Sequence, residues 1–373
     1  MATFNVTYHL DAGEDTVEAL AGAVLLEQTI ETPPAVGRRY PFVREHLMGR
    51  QVALEPDPDG GFRATLALPL PTAVADAAQF LNVLFGNSSI HPQVRLLDFE
   101  VAPGLGSLFH GPRFGIDGIR ACLGVAGRPL TAAALKPVGL SVEEVARLCR
   151  LLAEGGVDVI KDDHYLADHP FCPFEARVRA CLDAVAGVRS RTGHRALYVP
   201  HLSGTPAQIA RRYALAREAG AEAVLVAPML VGLPCFHELT HRLLDVPVLA
   251  HPSFAWADRV APRTLLGKLF RLFGADAVIF TNYGGRFPYT RATCRAIAET
   301  LRSDMPPLRP AFPVPAGGMQ VERAAELVAT FGPDTMLLIG GSLLEAGEGA
   351  LRERTRAFVE SVAAAAGVTT RSP

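Results

Sequence analysis

Four consecutive residues, Lys161-Asp162-Asp163-His164, put an amine, two carboxylates and an imidazole within one short stretch. Carboxylate oxygen and imidazole nitrogen are ligands for a hard or borderline divalent cation. A lysine is cationic and joins such a set only after carbon dioxide adds to its neutral amine, which burial favours by lowering the amine pKa. The same run would also serve as a solvated surface cap. Its position directly after the apolar stretch 157–160, which reads as a buried strand, favours a site. Other capable residues end similar stretches: Lys136-Pro137, His201, His251-Pro252-Ser253, and the run Thr281-Asn282-Tyr283-Gly284-Gly285-Arg286. Two further stretches end in Gly317-Gly318 and Gly340-Gly341. Paired glycines let backbone N–H groups converge on an anion, although glycine also marks plain turns. Arg286 either adds charge to that anion or is an ordinary solvated arginine. His201 is a substrate contact or a satisfied histidine near the core, and His251, before a proline at an apolar strand end, favours function.

These residues need a scaffold that gathers strand ends. From about residue 130, short apolar runs at 132–136, 157–161, 196–200, 223–228, 246–250, 277–280, 311–315 and 336–339 alternate with amphipathic segments. The clearest helices are 142–153, 206–219, 261–273 and 321–329. Continuous apolar strands alternating with helices indicate a parallel sheet buried on both faces. Eight such units in roughly 240 residues predict a closed (β/α)8 TIM barrel, with a doubly wound open sheet as the alternative. Chemistry in such barrels sits at the carboxyl ends of the strands, where the residues above fall.

The first 108 residues read differently. A period-2 stretch at 4–10 is followed by a helix to about Leu26 capped by Asp15-Thr16. Strands near 51–55 and 62–70 flank Asp57-Pro58-Asp59-Gly60-Gly61, a hairpin-type turn, and a helix near 73–85 precedes a strand near 94–101. This β-α-β-β-α-β order predicts a ferredoxin-like α+β domain over 1–108, a linker at 103–112, and the barrel over 109–373.

The chain has 373 residues, 49% of them hydrophobic, enough for one large core plus a smaller domain. Lys+Arg 36 against Asp+Glu 38 leaves a formal charge of −2, giving no support for a nucleic-acid or acidic-membrane partner. No apolar run approaches the roughly 18–20 residues of a membrane span, and the first thirty residues lack a signal-peptide pattern. Six cysteines without CxxC pairs suit a reduced, cytoplasmic protein.

Together the motifs resemble those of RuBisCO and RuBisCO-like proteins. Ala134-Leu135-Lys136-Pro137-Val138-Gly139-Leu140-Ser141 resembles that family's first-strand lysine motif. Gly155-Gly156-Val157-Asp158-Val159-Ile160-Lys161-Asp162-Asp163-His164 is similar to its metal-binding motif. The match continues through Phe171-Cys172-Pro173-Phe174-Glu175-Ala176-Arg177, Ser203-Gly204-Thr205, His251 and the glycine pairs, and it covers nearly the whole chain.

The resemblance implies a general base or acid at Lys136 and a Mg²⁺ site of carbamylated Lys161, Asp163 and His164, the last in place of a glutamate. It implies a phosphate held by Gly318, Gly340 and Gly341, with Arg286, His201 and His251 beside the substrate. Glu27 and Asn87 fall where the family places residues that reach a neighbouring subunit's active site, so a homodimer or larger assembly is implied. The departures are Val138-Gly139 for the motif's second lysine, His164, Ser253 and Phe254 after His251, Ile279 for a sixth-strand histidine, and Ala316 before the glycine pair. They remove groups of a second phosphate site and of carboxylation. The resemblance therefore implies enolisation of a small phosphorylated keto acid or keto sugar without carbon dioxide fixation. The expectation is decarboxylation or C–C cleavage of a 3-oxo-isoapionate-4-phosphate-type sugar acid. The alternatives are the 2,3-diketo-5-methylthiopentyl-1-phosphate enolase or isomerase of methionine salvage, and a non-catalytic ligand-binding barrel.

Overall fold

The structure, a computed structural model, describes residues 2–255, 258–285, 287–345 and 347–368. Strands β1 (Thr3–Leu10), β2 (Arg50–Pro56), β3 (Phe62–Pro69) and β4 (Val94–Phe99) form one antiparallel sheet in the order β2-β3-β1-β4. Helices Glu14–Glu27 and Ala77–Phe85 complete the expected ferredoxin-like order. The β2–β3 turn closes through Gly60 N–H to the Asp57 carbonyl, and Gly61 has φ +68° with no room for a side chain against the Leu10 carbonyl.

Local departures have simple causes. Gly13, not Asp15-Thr16, caps the first helix; Asp15 lies in its first turn, where a carboxylate favours the dipole, and Thr16 bonds back to the Gly13 carbonyl. Asp76 caps the second helix, which starts at Ala77 because its carboxylate takes the Ala78 and Gln79 N–H groups. The 103–112 stretch is not an irregular linker but carries the helix Pro103–Phe109, whose Leu105 and Phe109 are buried.

The parallel strands follow as β5 (Leu130–Leu135), β6 (Val159–Asp162), β7 (Leu197–Val199), β8 (His201–Leu202), β9 (Val224–Val226), β10 (Val248–Ala250), β11 (Ala277–Thr281), β12 (Phe312–Ala316) and β13 (Met336–Ile339). All eight expected barrel strands are present, the third split at Pro200 into β7 and β8. One half of the wall is β13-β5-β6-β7 and the other β12-β11-β10-β9-β8, with β12 packed beside β13. The alternation of side chains sorts the core in two. Leu130, Ala132, Val159, Leu197, Val199, Leu225, Leu249, Ile279, Val314 and Leu338 fill the barrel interior, above Ile116, Ile119 and Leu123 of the helix Gly115–Leu123. Ala133, Leu135, Ile160, Tyr198, Val226, Val278 and Ile339 face outward into the helix layer.

The two parts are joined by packing and by backbone. Phe80 of the first part stands 6.4 Å from Phe273 of the barrel, with Phe109 5.1 Å away. Leu96 of β4 exchanges backbone hydrogen bonds with Arg259 and Ala261.

Candidate active site

Inward parity carries each strand's next residue into the barrel mouth. Counting by two from Ala134, Val159, Val199 and Leu249 reaches Lys136, Lys161 with Asp163, His201 and His251, all at carboxyl ends. Gly340 follows Leu338 in the same way, and a Cβ there would stand 3.6 Å from Lys136 Cε.

Lys161 is buried and its Nζ donates to the Asp162 carbonyl at 2.7 Å. Burial, helped by the Lys136 charge and opposed by Asp163 and Asp162, brings its pKa down to about 8. Asp163 is buried as well; burial raises its carboxyl pKa, but Lys161 and Lys136 outweigh that and hold it below the ordinary value. Its Oδ1 accepts the Tyr165 N–H at 3.0 Å, while the buried Oδ2 makes no regular hydrogen bond and meets the Lys136 ammonium as an ion pair.

The imidazoles complete the group. His164 stacks on His251 with ring centres 4.0 Å apart, and its Nδ1 lies 3.5 Å from Asp163 Oδ1. His251 Nδ1 accepts the Ser253 N–H at 3.2 Å beside the Ser253 hydroxyl at 2.8 Å, so the neutral ring carries its proton on Nε2. Burial, then Lys161, His164 and His201, hold the His251 pKa well below its ordinary value. His201 donates Nδ1–H to the Leu166 carbonyl at 3.3 Å; burial and Lys161 bring its pKa down to about 4. Both rings are therefore neutral near pH 7, for a further charge beside two lysines is costly.

Asp162, of opposite parity, is committed elsewhere: it accepts from Arg177 Nε at 3.2 Å, the Tyr198 hydroxyl at 2.7 Å and the His201 N–H at 3.1 Å. With Asp162 paired to Arg177, Asp163 is, among the described residues of this group, the carboxylate that Lys136 and Lys161 share. The mouth thus has an excess of positive charge, which suits an anionic substrate or an oxyanion that forms during reaction.

The glycine pairs also come together. Gly317 and Gly318 adopt φ +83° and +72°, and the Ser342 hydroxyl, just after Gly340-Gly341, donates to the Met319 carbonyl at 2.7 Å. Arg286 lies outside the described residues. Glu27 and Asn87 meet each other, Asn87 Nδ2 donating to Glu27 Oε1 at 2.8 Å and to Glu31 Oε1 at 3.4 Å. Among the described residues neither bonds to the barrel mouth of its own chain.

Sequence reasoning missed Arg177, Tyr198 and Ser253 as partners of this group. Arg177 was visible inside a quoted motif, but only the fold shows that it is fully buried against Asp162.

The fold and site define a barrel with a lysine–carboxylate–imidazole cluster at its carboxyl-end mouth, covered on one flank by an α+β domain. The model of the ribulose bisphosphate carboxylase large chain, catalytic domain, matches residues 115–364, and the chain belongs to that family as a RuBisCO-like protein. It is 47% identical over 358 residues to Ribulose bisphosphate carboxylase-like protein 1 of Rhodopseudomonas palustris, covering 96% of this chain and 97% of that one. It is 43% identical over 361 residues to 5-methylthioribulose-1-phosphate isomerase of Rhodospirillum rubrum, covering 96% of each. A crystal structure of a Rubisco-like protein from Rhodopseudomonas palustris superposes with TM-score 0.89 at 41% identity, over 97% of this chain and 98% of that one. All six cysteines are free thiols, and among the described residues no helix is long and apolar enough to cross a membrane.

Proposed function

We propose that this chain catalyses metal-assisted proton transfer on a phosphorylated keto sugar of the 5-methylthioribulose-1-phosphate kind, an isomerisation through an enediolate. The observation that carries this reading is the convergence of Lys136, Lys161, Asp163, His164, His201 and His251 at one barrel mouth. The relative named for isomerisation favours it over decarboxylation of a 3-oxo-isoapionate-4-phosphate-type sugar acid, which would use the same enolate.

Asp163 and His164 are two of the three donors that a cation needs. Among the described residues no three His, Cys, Asp or Glu side chains are arranged to hold a metal by themselves; the resemblance to the family implies the third donor, Lys161 as its carbamate. The buried Asp163 Oδ2 and the Lys161 amine beside it fit that role. Bound Mg²⁺ would polarise the ketone and hydroxyl oxygens of the substrate. Lys136, partly exposed beside Gly340, moves the proton at carbon, an effect worth roughly 10²–10⁴-fold. The Nε2–H of His251 steadies the oxygen on which charge develops. Backbone N–H groups at Gly318, Gly340 and Gly341 hold the phosphate, with Arg286 assigned to the same end. Val138, Tyr165, Phe254 and Phe287, exposed on loops after barrel strands, supply an apolar surface for an uncharged tail. Glu27 and Asn87 serve the mouth of a partner subunit in a homodimer or larger assembly. Ribulose-bisphosphate carboxylation is outside this activity, because Ser253, Phe254 and Ile279 stand where its second phosphate and carboxylation would need charged or imidazole groups.

The test is proton NMR in D₂O with Mg²⁺ and bicarbonate. Deuterium entering 5-methylthioribulose 1-phosphate, with isomer formed, supports the proposal. Carbon dioxide released from the 3-oxo sugar-acid phosphate instead would return the function to decarboxylation. Binding of these ligands with no exchange in any would leave a non-catalytic barrel.

A further inference from the structure

The third barrel strand is broken where the site needs it whole. Lys161↔Val199 is the last pair between β6 and β7; Pro200 follows, with no N–H to give, and β8 then pairs with β9. A discontinuity therefore runs up the wall between the residues that carry Lys161, Asp163 and His201. The Asp162 side chain spans it. Pointing out of the barrel, it takes the His201 N–H that the β6 backbone does not accept, the Tyr198 hydroxyl from the far side of Pro200, and Arg177 Nε from the helix Phe174–Thr192. Arg177 is itself fixed, donating Nη1 to the Ala167 carbonyl at 3.0 Å and the Cys172 carbonyl at 2.9 Å. All three partners of Asp162 are buried, so each bond is held without competition from water.

We infer that Asp162, clamped by Tyr198 and Arg177 across the Pro200 break, is a positioning residue that fixes Lys161 and Asp163, two of the proposed cation donors, in register with His201 across the break. The inference rests on the metal reading proposed above. It differs from a merely structural role in what it controls. Loosening the clamp lets the β6 end shift relative to β8 while the barrel remains folded, and the cation site loses its geometry first. Partners that orient metal ligands typically govern 10–100-fold of affinity.

The test compares wild type, Tyr198→Phe and Asp162→Asn in the full chain. Tyr198→Phe removes one hydroxyl and keeps the ring, so it remains informative if Asp162→Asn fails to fold. Calorimetry reads Mg²⁺ binding in bicarbonate, ¹³C NMR with labelled bicarbonate reads the carbamate signal, and amide exchange reads residues 199–202. The expected result for Tyr198→Phe is Mg²⁺ binding about tenfold weaker, a reduced carbamate signal and faster exchange at 201 and 202, with unchanged circular dichroism. Wild-type affinity, carbamate and exchange in Tyr198→Phe would overturn the inference. Wild-type protein that binds no Mg²⁺ and forms no carbamate would refute the metal reading, and with it the proposed register for a cation; the exchange data would then show separately whether Asp162 closes the break.

Discussion

The Lys136 ammonium rests on Asp163 Oδ2, so the amine assigned to the proton and the carboxylate assigned to the cation hold each other. A cation and an ammonium compete for one oxygen. Replacing Lys136 by Met removes the competitor and leaves Oδ2 open. The expected outcome is a kcat lower by about 10²–10⁴-fold together with Mg²⁺ binding tighter than in wild type. Turnover and calorimetry on the same sample check it, and weaker Mg²⁺ binding in Lys136→Met would show that the ion pair assembles the site instead of guarding it.

Lys161 sets a pH dependence. Carbon dioxide adds to the neutral amine only, and burial brings its pKa down to about 8. Raising pH therefore favours the adduct: about a tenth of the amine is neutral at pH 7 and about nine-tenths at pH 9. Carbamate formation releases a proton, so at fixed dissolved carbon dioxide it is the initial rate of growth of the ¹³C carbamate signal that follows the neutral amine. That rate should rise with a midpoint near pH 8, and no signal should form in Lys161→Met. A midpoint above pH 10, the ordinary lysine range, would mean that the amine is not desolvated in solution.

His251 tests whether neutrality of the imidazoles matters. With Nδ1 accepting from Ser253, its Nε2–H is the group presented to substrate, and burial beside Lys161 prevents protonation near pH 7. His251→Gln should lower kcat by about 10²-fold while KM changes little, since the interaction is made chiefly as charge develops. Ser253→Ala keeps the backbone N–H and should cost much less. Equal losses in kcat/KM and in binding of inorganic phosphate would instead place His251 in ground-state recognition.

Much of this site was legible because the barrel converts sequence position into geometry. Lys136, Lys161, His201 and His251 were read at the ends of apolar runs, and each lies two positions beyond an interior side chain, which carries it to the mouth. The paired glycines were legible from their place at two adjacent strand ends, and Gly317 and Gly318 adopt left-handed torsions that few other residues take. What the strand pattern does not carry is the outward face beyond the ladder. Asp162 sits between two site residues and looks like one of them, yet its partners Arg177 and Tyr198 are 15 and 36 positions away and meet it only after folding. The helix Pro103–Phe109 was hidden for a related reason: Pro103, Gly104 and Gly106 read as a linker, and the burial of Leu105 and Phe109 against the rest of the molecule outweighs their weak helical preference.

That burial also predicts how the molecule comes apart. Phe80, fully buried on the helix Ala77–Phe85, packs within 6.4 Å of Phe4, Phe99, Phe109 and Phe273, which come from the sheet, the connecting helix and the barrel. One ring thus joins three parts that would otherwise unfold separately. Phe80→Ala leaves a cavity at that junction and should cost about 3–5 kcal/mol, whereas Phe80→Leu, closer in volume, should cost less than about 1.5 kcal/mol. Calorimetric melting should show one transition in wild type and, in Phe80→Ala, an early transition of the first part ahead of the barrel. If Phe80→Ala lowers a single transition without splitting it, the backbone bonds of Leu96 to Arg259 and Ala261, and not the aromatic cluster, couple the two parts.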